Sequence, residues 1–393
     1  MPNLSEKKIL KIITNFFFSL IFLITLVFIF LAGTLFLASI RDFVLVFSLI
    51  AGFICFLIAR KFKSKMYKIY SLIVLVFAFF SIFSFQFNKF MFFNFQENSL
   101  ETNKHLIIGY RSESEIRKLV RQNKIAGVYV TKRNVEGKTK DEIKNFLSEL
   151  QNERKKHSSQ ELIIMADQEG GIVSHLSPLL TQTGTLAKVL AEDKNSFESK
   201  IQKIASIHGS ELAEIGINVN LAPVADLENE NSAEGFSQIS KRAISKNPEE
   251  IQIVVKNYCN KLWEYGIKCT LKHFPGIGDV AEDTHFRLGI KKGDLEKIKY
   301  EASSFRSPQN PHFVMVSHTK IEAIDNQNPA STSRKSIEFL KQINPDAKVI
   351  TDDFSMMPIS KGVGIKKAYT ASLEAGVDYI LISYDKDLGY ELW

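Results

Sequence analysis

Cysteine is scarce in this chain, with three in 393 residues. So few thiols make no disulfide framework, and their spacing offers no metal site. Cys55 lies in an apolar run. Cys259 and Cys269 flank a helix-to-strand turn, close enough to pair, and read as two buried free thiols. Excess charge is missing from most of the chain as well. Residues 1–100 hold ten Lys/Arg and three acids, which is the whole net charge of +7. Residues 101–393 balance at 40 against 40. That neutrality argues against nucleic acid as a partner. No glycine-rich turn follows the first strand-like run, so an open, dinucleotide-binding doubly wound sheet is the weaker fold reading. No small-residue cleavage site follows the first apolar run, which is also too long for a removed signal.

Long apolar runs are what the first hundred residues do have. Phe16–Ser39, Phe43–Ala59 and Tyr70–Phe87 are separated by charged flanks. A bilayer core takes about 20 apolar residues per helix, with a tolerance of roughly 17–25. Three transmembrane helices over residues 1–90 are expected. Lys7, Lys8 and Lys11 precede the first, and Arg60, Lys61, Lys63, Lys65 and Lys68 separate the second from the third. The positive-inside rule puts both clusters in the cytoplasm. Everything beyond Asn88 then lies on the outer face of a multi-pass membrane protein. Residues 91–103, with Phe92, Phe93 and Phe95, read as an interfacial anchor and polar linker.

Residues 104–393 alternate short apolar runs with helical patterns. The strands are expected at Leu106–Ile108, Gly127–Thr131, Leu162–Ala166, Asn218–Ala222, Ile267–Leu271, Phe313–Val316, Val349–Thr351 and Tyr379–Ile382. Helical patterns lie between them, such as Lys140–Lys155 and Pro248–Tyr265. This is the signature of a (β/α)₈ barrel, an α/β fold with functional groups just after its strands. Polar groups do follow there: Asp167, Asp226, Lys272 with His273, His318 and Asp352. Lys272–His285 is the densest stretch. It runs from a strand through Pro275, Gly276 and Gly278 to Asp283 and His285. Glycines bracket residues 273–291 and few apolar residues are there to anchor them, so this loop is expected to be mobile. The chain stops at Trp393, soon after the eighth strand. Either Lys386–Trp393 replaces the last barrel helix, with a membrane or partner covering that face, or the sequence is cut short.

Several motifs now stand in order: Asp167-Gln-Glu-Gly-Gly171, Asn220-Leu-Ala-Pro-Val-Ala-Asp226, Lys272-His-Phe-Pro-Gly276 with Asp283-Thr-His285, Val314-Met-Val-Ser-His318, and Val349-Ile-Thr-Asp-Asp-Phe-Ser-Met356. Together they resemble the N-terminal catalytic domain of family 3 glycoside hydrolases, in the β-N-acetylhexosaminidase-like branch. The resemblance covers roughly residues 104–385. It implies that Asp352 is the nucleophile and that His285 with Asp283 is the acid/base pair. It also implies that Asp167, Arg242, Lys272 and His273 grip the sugar, with His175 beside them. Ile172 and His175 stand where the family pattern carries Arg, and Ile277 where it carries His. These departures touch sugar grip rather than the two chemical groups.

The expected activity is a retaining exo-glycosidase releasing β-linked N-acetylhexosamine from cell-wall or other glycans. It needs no cofactor and no metal. The alternatives are a membrane-anchored sugar-binding pseudoenzyme, a phosphorylase, or a β-glycosidase for another sugar.

Overall fold

The computed structural model describes residues 4–32, 40–61, 64–95, 101–192, 197–229 and 239–393. The tail of the first expected span (residues 33–39) and the middle of the expected linker (residues 96–100) lie outside the described residues. Residues 97–392 form one compact unit, and residues 1–96 belong to another.

The N-terminal unit holds α1 (Leu4–Ala32), α2 (Arg41–Lys61) and α3 (Lys65–Asn94). By length and composition all three could cross a membrane. Ile29, Ala32, Val44, Leu45, Val74 and Ala78 make a small core, while Phe30, Phe43 and Phe80 face outward. A helix that is apolar all round suits lipid rather than water. α3 is longer than its apolar run, because Ser64 caps its start and the helix continues to Asn94. The expected interfacial anchor is therefore its last turn, with Phe92 and Phe93 buried.

In the second unit the barrel strands are β1 (Leu106–Gly109), β2 (Gly127–Tyr129), β3 (Ile163–Ala166), β4 (Val219–Asn220), β5 (Lys268–Phe274), β6 (His312–Val316), β7 (Lys348–Thr351) and β8 (Ile380–Ile382). They form one sheet of eight in the order β7-β6-β5-β4-β3-β2-β1-β8, with every pairing parallel. A parallel bridge from Ile350 to Tyr379 joins β7 to β8 and all but closes the barrel. Inward residues such as Ile107, Met165, Val219, Phe313, Ile350 and Leu381 fill the centre. Strands buried on both faces read as continuous apolar runs, which is why the sequence pattern located them.

Helices α4 (Glu113–Arg121), α5 (Lys140–Lys155), α6 (Phe197–Ile215), α7 (Pro248–Trp263), α8 (Leu295–Ala302), α9 (Arg334–Ile343) and α10 (Ile365–Ala375) pack outside. Their ends are written locally. Thr139 and Glu142 make a capping box on α5, and Asn247 caps α7 with Pro248 in the first turn. Gly376 ends α10 at φ 102°, a conformation that favours glycine. After β8 comes a 3₁₀ segment, Lys386–Glu391, that buries Leu388 and Tyr390.

Three expectations change. β5 does not end at Leu271 but runs to Phe274, so Lys272 and His273 lie within the strand. Its pairing to β6 shifts register between Leu271 and Phe274. Such an irregularity re-aims side chains. Cys259 and Cys269 are not free thiols but form a disulfide, with Cα atoms 5.4 Å apart. The pairing ties α7 to β5, and only their packing shows that the separation is right.

The loop after β5 is the third, since it is anchored rather than loose. Ile277 and Val280 pack with Ile239 and Ala243. Asp279 takes Lys291 at 2.5 Å and Lys297 at 2.7 Å. A side chain at position 278 would strike the Leu227 carbonyl, so the loop lies flat on that backbone.

Candidate active site

The ends of β3 and β5 and the segment that follows Ile239–Lys241 bring four charges into one buried cluster. Lys272 Nζ contacts Asp167 Oδ1, and reaches Glu169 Oε1 at 2.6 Å. Arg242 grips both oxygens of Glu169 with Nε at 3.0 Å and Nη2 at 2.7 Å. Two cations and two carboxylates in one pocket offset each other's desolvation. Burial alone would raise the Asp167 pKa. The charges of Lys272 and His175 and the hydrogen bonds from Lys272 and Tyr129 outweigh it and hold it at about 2. Burial likewise opposes ionisation of Glu169, and Arg242 and Lys272 overcome it. Burial would discharge Lys272, yet Asp167 and Glu169 raise its pKa. All four stay charged near neutral pH.

His175 stands at the rim. Its Nδ1 is 2.9 Å from Tyr129 Oη and 3.9 Å from Asp167 Oδ2. Tyr129 Oη donates to Asp167 Oδ2 at 2.8 Å. His273 turns away from the cation cluster to Asp226, which accepts from its Nδ1 at 2.7 Å. Asp226 also accepts the backbone N–H of His273 and, at 2.8 Å, that of Ile277. It is fully buried and sets both the imidazole and the start of the loop. The Lys272–His273 peptide is cis.

At the far end of that loop, Asp283 Oδ1 takes the Nδ1 of His285 at 2.8 Å and its backbone N–H at 3.1 Å. The His285 carbonyl accepts from Met357 N at 2.9 Å. That hydrogen bond ties the Asp/His pair to the segment just past β7, where Asp352 begins.

Asp352 lies at the mouth of the barrel. Burial would raise its pKa, but His273, then His318 and His285, act in the opposite direction and the net shift is downward. Asp353 beside it accepts from Ser355 N, Ser383 N and Oγ, and Tyr384 N. His318 is buried between Ser331 Oγ at 2.8 Å and the Asp353 carbonyl at 3.1 Å. Burial lowers its pKa and keeps it neutral, a histidine satisfied inside the barrel.

All the expected site residues thus lie on the C-terminal side of the barrel, in three groups: Asp167, His175, Arg242 and Lys272; His273 on Asp226; and Asp283 with His285 near Asp352. The sequence pattern assigned no role to Glu169, Asp226 or Tyr129. Glu169 was within a quoted motif, but nothing in one dimension says that Arg242, 73 positions later, closes on it. A cavity of about 610 Å³ opens at the opposite end, lined by Ile163, Val219, His312, Phe313 and Tyr379. His312 there is held by the Asn310 carbonyl and the Asn344 side chain, and functional groups in such barrels sit at the C-terminal face.

The fold is a nearly closed parallel α/β barrel with acids and imidazoles gathered at the C-terminal ends of strands three, five and seven. The chain belongs to the family described as glycosyl hydrolase family 3 N terminal domain, matched over residues 92–390. It is 29% identical over 230 residues to Beta-hexosaminidase LpqI of Mycobacterium tuberculosis, covering 56% of this chain and 58% of that protein. A Beta-hexosaminidase of Idiomarina loihiensis is 28% identical over 247 residues, 61% of this chain and 72% of the other. Among solved structures, a family 3 β-N-acetylglucosaminidase from a Paenibacillus species superposes with a TM-score of 0.66 at 28% identity. That match covers 75% of this chain and 57% of the other. The chain therefore spans under six-tenths of the length of the mycobacterial and Paenibacillus proteins.

Proposed function

We propose that the barrel unit is a retaining glycosidase that releases β-linked N-acetylhexosamine from glycans. The observation that carries this is an ionised carboxylate, Asp352, at a mouth that also holds an Asp-oriented imidazole on a separate loop. In this reading Asp352 attacks the anomeric carbon and forms a glycosyl ester. His285 gives its proton to the departing oxygen, and the aglycone leaves as an alcohol. With Nδ1 held by Asp283, the other ring nitrogen carries that proton. The neutral imidazole then takes a proton from water, which cleaves the ester and restores Asp352. Asp167, Arg242 and Lys272 hold the sugar hydroxyls, with His175 and His273 at the edges. The names of the mycobacterial and Paenibacillus relatives support an amino-sugar substrate.

The barrel unit is placed outside the cytoplasm, with the N-terminus inside. Lys/Arg asymmetry supports this, and so does the Cys259–Cys269 disulfide, since such bonds persist in oxidising compartments.

The test is turnover by the full chain in detergent of an aryl β-N-acetylglucosaminide beside the matching β-glucoside and β-xyloside. A clear preference for the amino sugar is expected. Faster cleavage of the glucoside would replace the substrate assignment. Sugar binding with no turnover of any of the three would make the chain a binding protein.

A further inference from the structure

We infer that Lys291, Asp279 and Glu301 form an ionic clamp that positions His285 for proton transfer, with Lys297 closing it on the solvent side. What His285 does rests on the glycosidase reading. What holds it rests on side-chain geometry alone.

The loop that carries His285 leaves β5 at Phe274 and ends in the two-residue strand Ile290–Lys291, which pairs with Lys320–Ile321. Asp279 stands on the outgoing arm and Lys291 at the end of the returning one. Lys291 Nζ meets Asp279 Oδ1 at 2.5 Å, so the pair closes the loop at its base. His285 is midway, six residues from each. Lys291 also pairs with Glu301 Oε2 on α8. Lys297, one turn before Glu301, reaches Asp279 Oδ2 at 2.7 Å and Glu301 Oε1 at 3.6 Å. Two lysines and two carboxylates thus alternate in a ring that joins both arms of the loop to one helix.

Burial says what the ring is for. The Lys291 side chain is 2% exposed, and lysine is rarely buried that far unless paired. Burial opposes ionisation of Asp279 as well, and Lys291 and Lys297 overcome it. Buried ion pairs add little net stability over apolar side chains of the same volume, but they fix a register, because any other arrangement leaves a charge unpaired. Here the register is that of the two loop arms against α8. The arms also meet above the ring. A side chain at position 289 would strike Thr319, Val280 and Thr284, so the returning arm lies directly on the outgoing one. Little slack is left between the ring and the turn at Asp283, whose carbonyl accepts from Phe286 N and Arg287 N.

The ion pairs of the ring run among its four members and not to Asp167, Arg242 or Lys272, which pair within their own cluster. An effect of the ring on turnover therefore passes through the loop. Proton transfer needs its donor within hydrogen-bond reach, and a displacement of about 1 Å can cost roughly 10²-fold. Opening the base of the loop should lower turnover while leaving sugar binding nearly intact.

The test uses the full chain in detergent, with Lys291→Met, Lys297→Met and His285→Ala singly, and Lys291→Met combined with His285→Ala. The substrates are the 4-methylphenyl and 2,4-dinitrophenyl β-N-acetylglucosaminides. Lys291→Met is expected to lower kcat/KM about 10–10²-fold on the methylphenyl glycoside and far less on the dinitrophenyl one, whose leaving group needs little protonation. The inhibition constant of N-acetylglucosamine should stay within about twofold, since the sugar grip is untouched. In the His285→Ala background the same change should cost almost nothing, because groups that act as a unit are not additive. Lys297→Met should show this pattern at smaller size, and it decides the matter should Lys291→Met fail to fold in thermal melting. Unchanged turnover in a folded variant, equal losses on both glycosides, or the same loss with and without His285 would each overturn the clamp. Hydrogen exchange over residues 281–288 separates the clamp from the reaction. Exchange there as slow as in the parent would also overturn the clamp, whatever the turnover. Faster exchange in a folded variant of a chain that hydrolyses neither glycoside would leave the clamp on the loop standing and remove the glycosidase reading.

Discussion

The backbone N–H of Asp353 donates to Oδ1 of Asp352 at 2.8 Å, and the two neighbouring carboxylates serve opposite ends. Asp353 is spent on structure, binding Ser355 and the Ser383–Tyr384 turn after β8. Asp352 faces the mouth among three imidazoles.

From this difference, Asp352→Asn should abolish covalent labelling by a 2-fluoro glycosyl fluoride and reduce turnover to near background. Asp353→Asn should mainly lower the melting temperature, because one amide cannot accept what two carboxylate oxygens accept. A label mapped to Asp353, Asp283 or Asp167 would remove Asp352 from the nucleophile's role.

His285→Ala should slow turnover by about 10²–10⁴-fold. Its melting temperature should barely move, since the loop is anchored by Ile277, Val280 and Asp279 rather than by the imidazole. Activated aryl substrates should show the loss mainly in the second step, because a good leaving group needs little protonation. Unchanged turnover would exclude His285 from proton transfer.

Glu169→Gln leaves Arg242 and Lys272 with half their counter-charge in a buried cluster. Breaking such a cluster by removing one member costs roughly 3–5 kcal/mol. Urea unfolding of the detergent-solubilised chain would measure it, and KM should rise as Arg242 loses its anchor. A loss within experimental error would show that the cluster relaxes into solvent.

His208 supplies a pH signature. It is buried between Thr183 Oγ1 at 2.8 Å and Tyr258 Oη at 2.7 Å, and burial lowers its pKa from 6.5 to about 4. The unfolded chain therefore binds more protons than the folded one between those values. The stability tied to neutral His208 is full above about pH 6.5 and is lost as pH falls toward 4, by about 3 kcal/mol in total. His208→Gln should flatten this acid limb in melting-temperature profiles from pH 7 to 4. An identical limb in the variant would assign it to other groups.

Protease added to intact spheroplasts should cleave beyond about residue 100 if the barrel unit lies outside. Complete protection would reverse the orientation.

Much of this was legible in one dimension. Apolar runs of bilayer length marked α1, α2 and α3, each long and apolar enough to cross a membrane. Strand positions followed from runs buried on both faces. The order of Asp167, Lys272, His273, Asp283, His285 and Asp352 marked a candidate site. Tertiary structure alone decided what closes on what. Glu169 meets Arg242 and Asp226 meets His273 across separations that sequence patterns do not encode, and Cys259 meets Cys269 where the sequence reading favoured free thiols. It also decided that the loop after β5 is held down and that Asp353 is spent where Asp352 is not. Local sequence determines which residues are apolar, capped or charged. Pairing depends on which side chains the barrel brings within a few ångströms, and that distance exists only once the chain has closed.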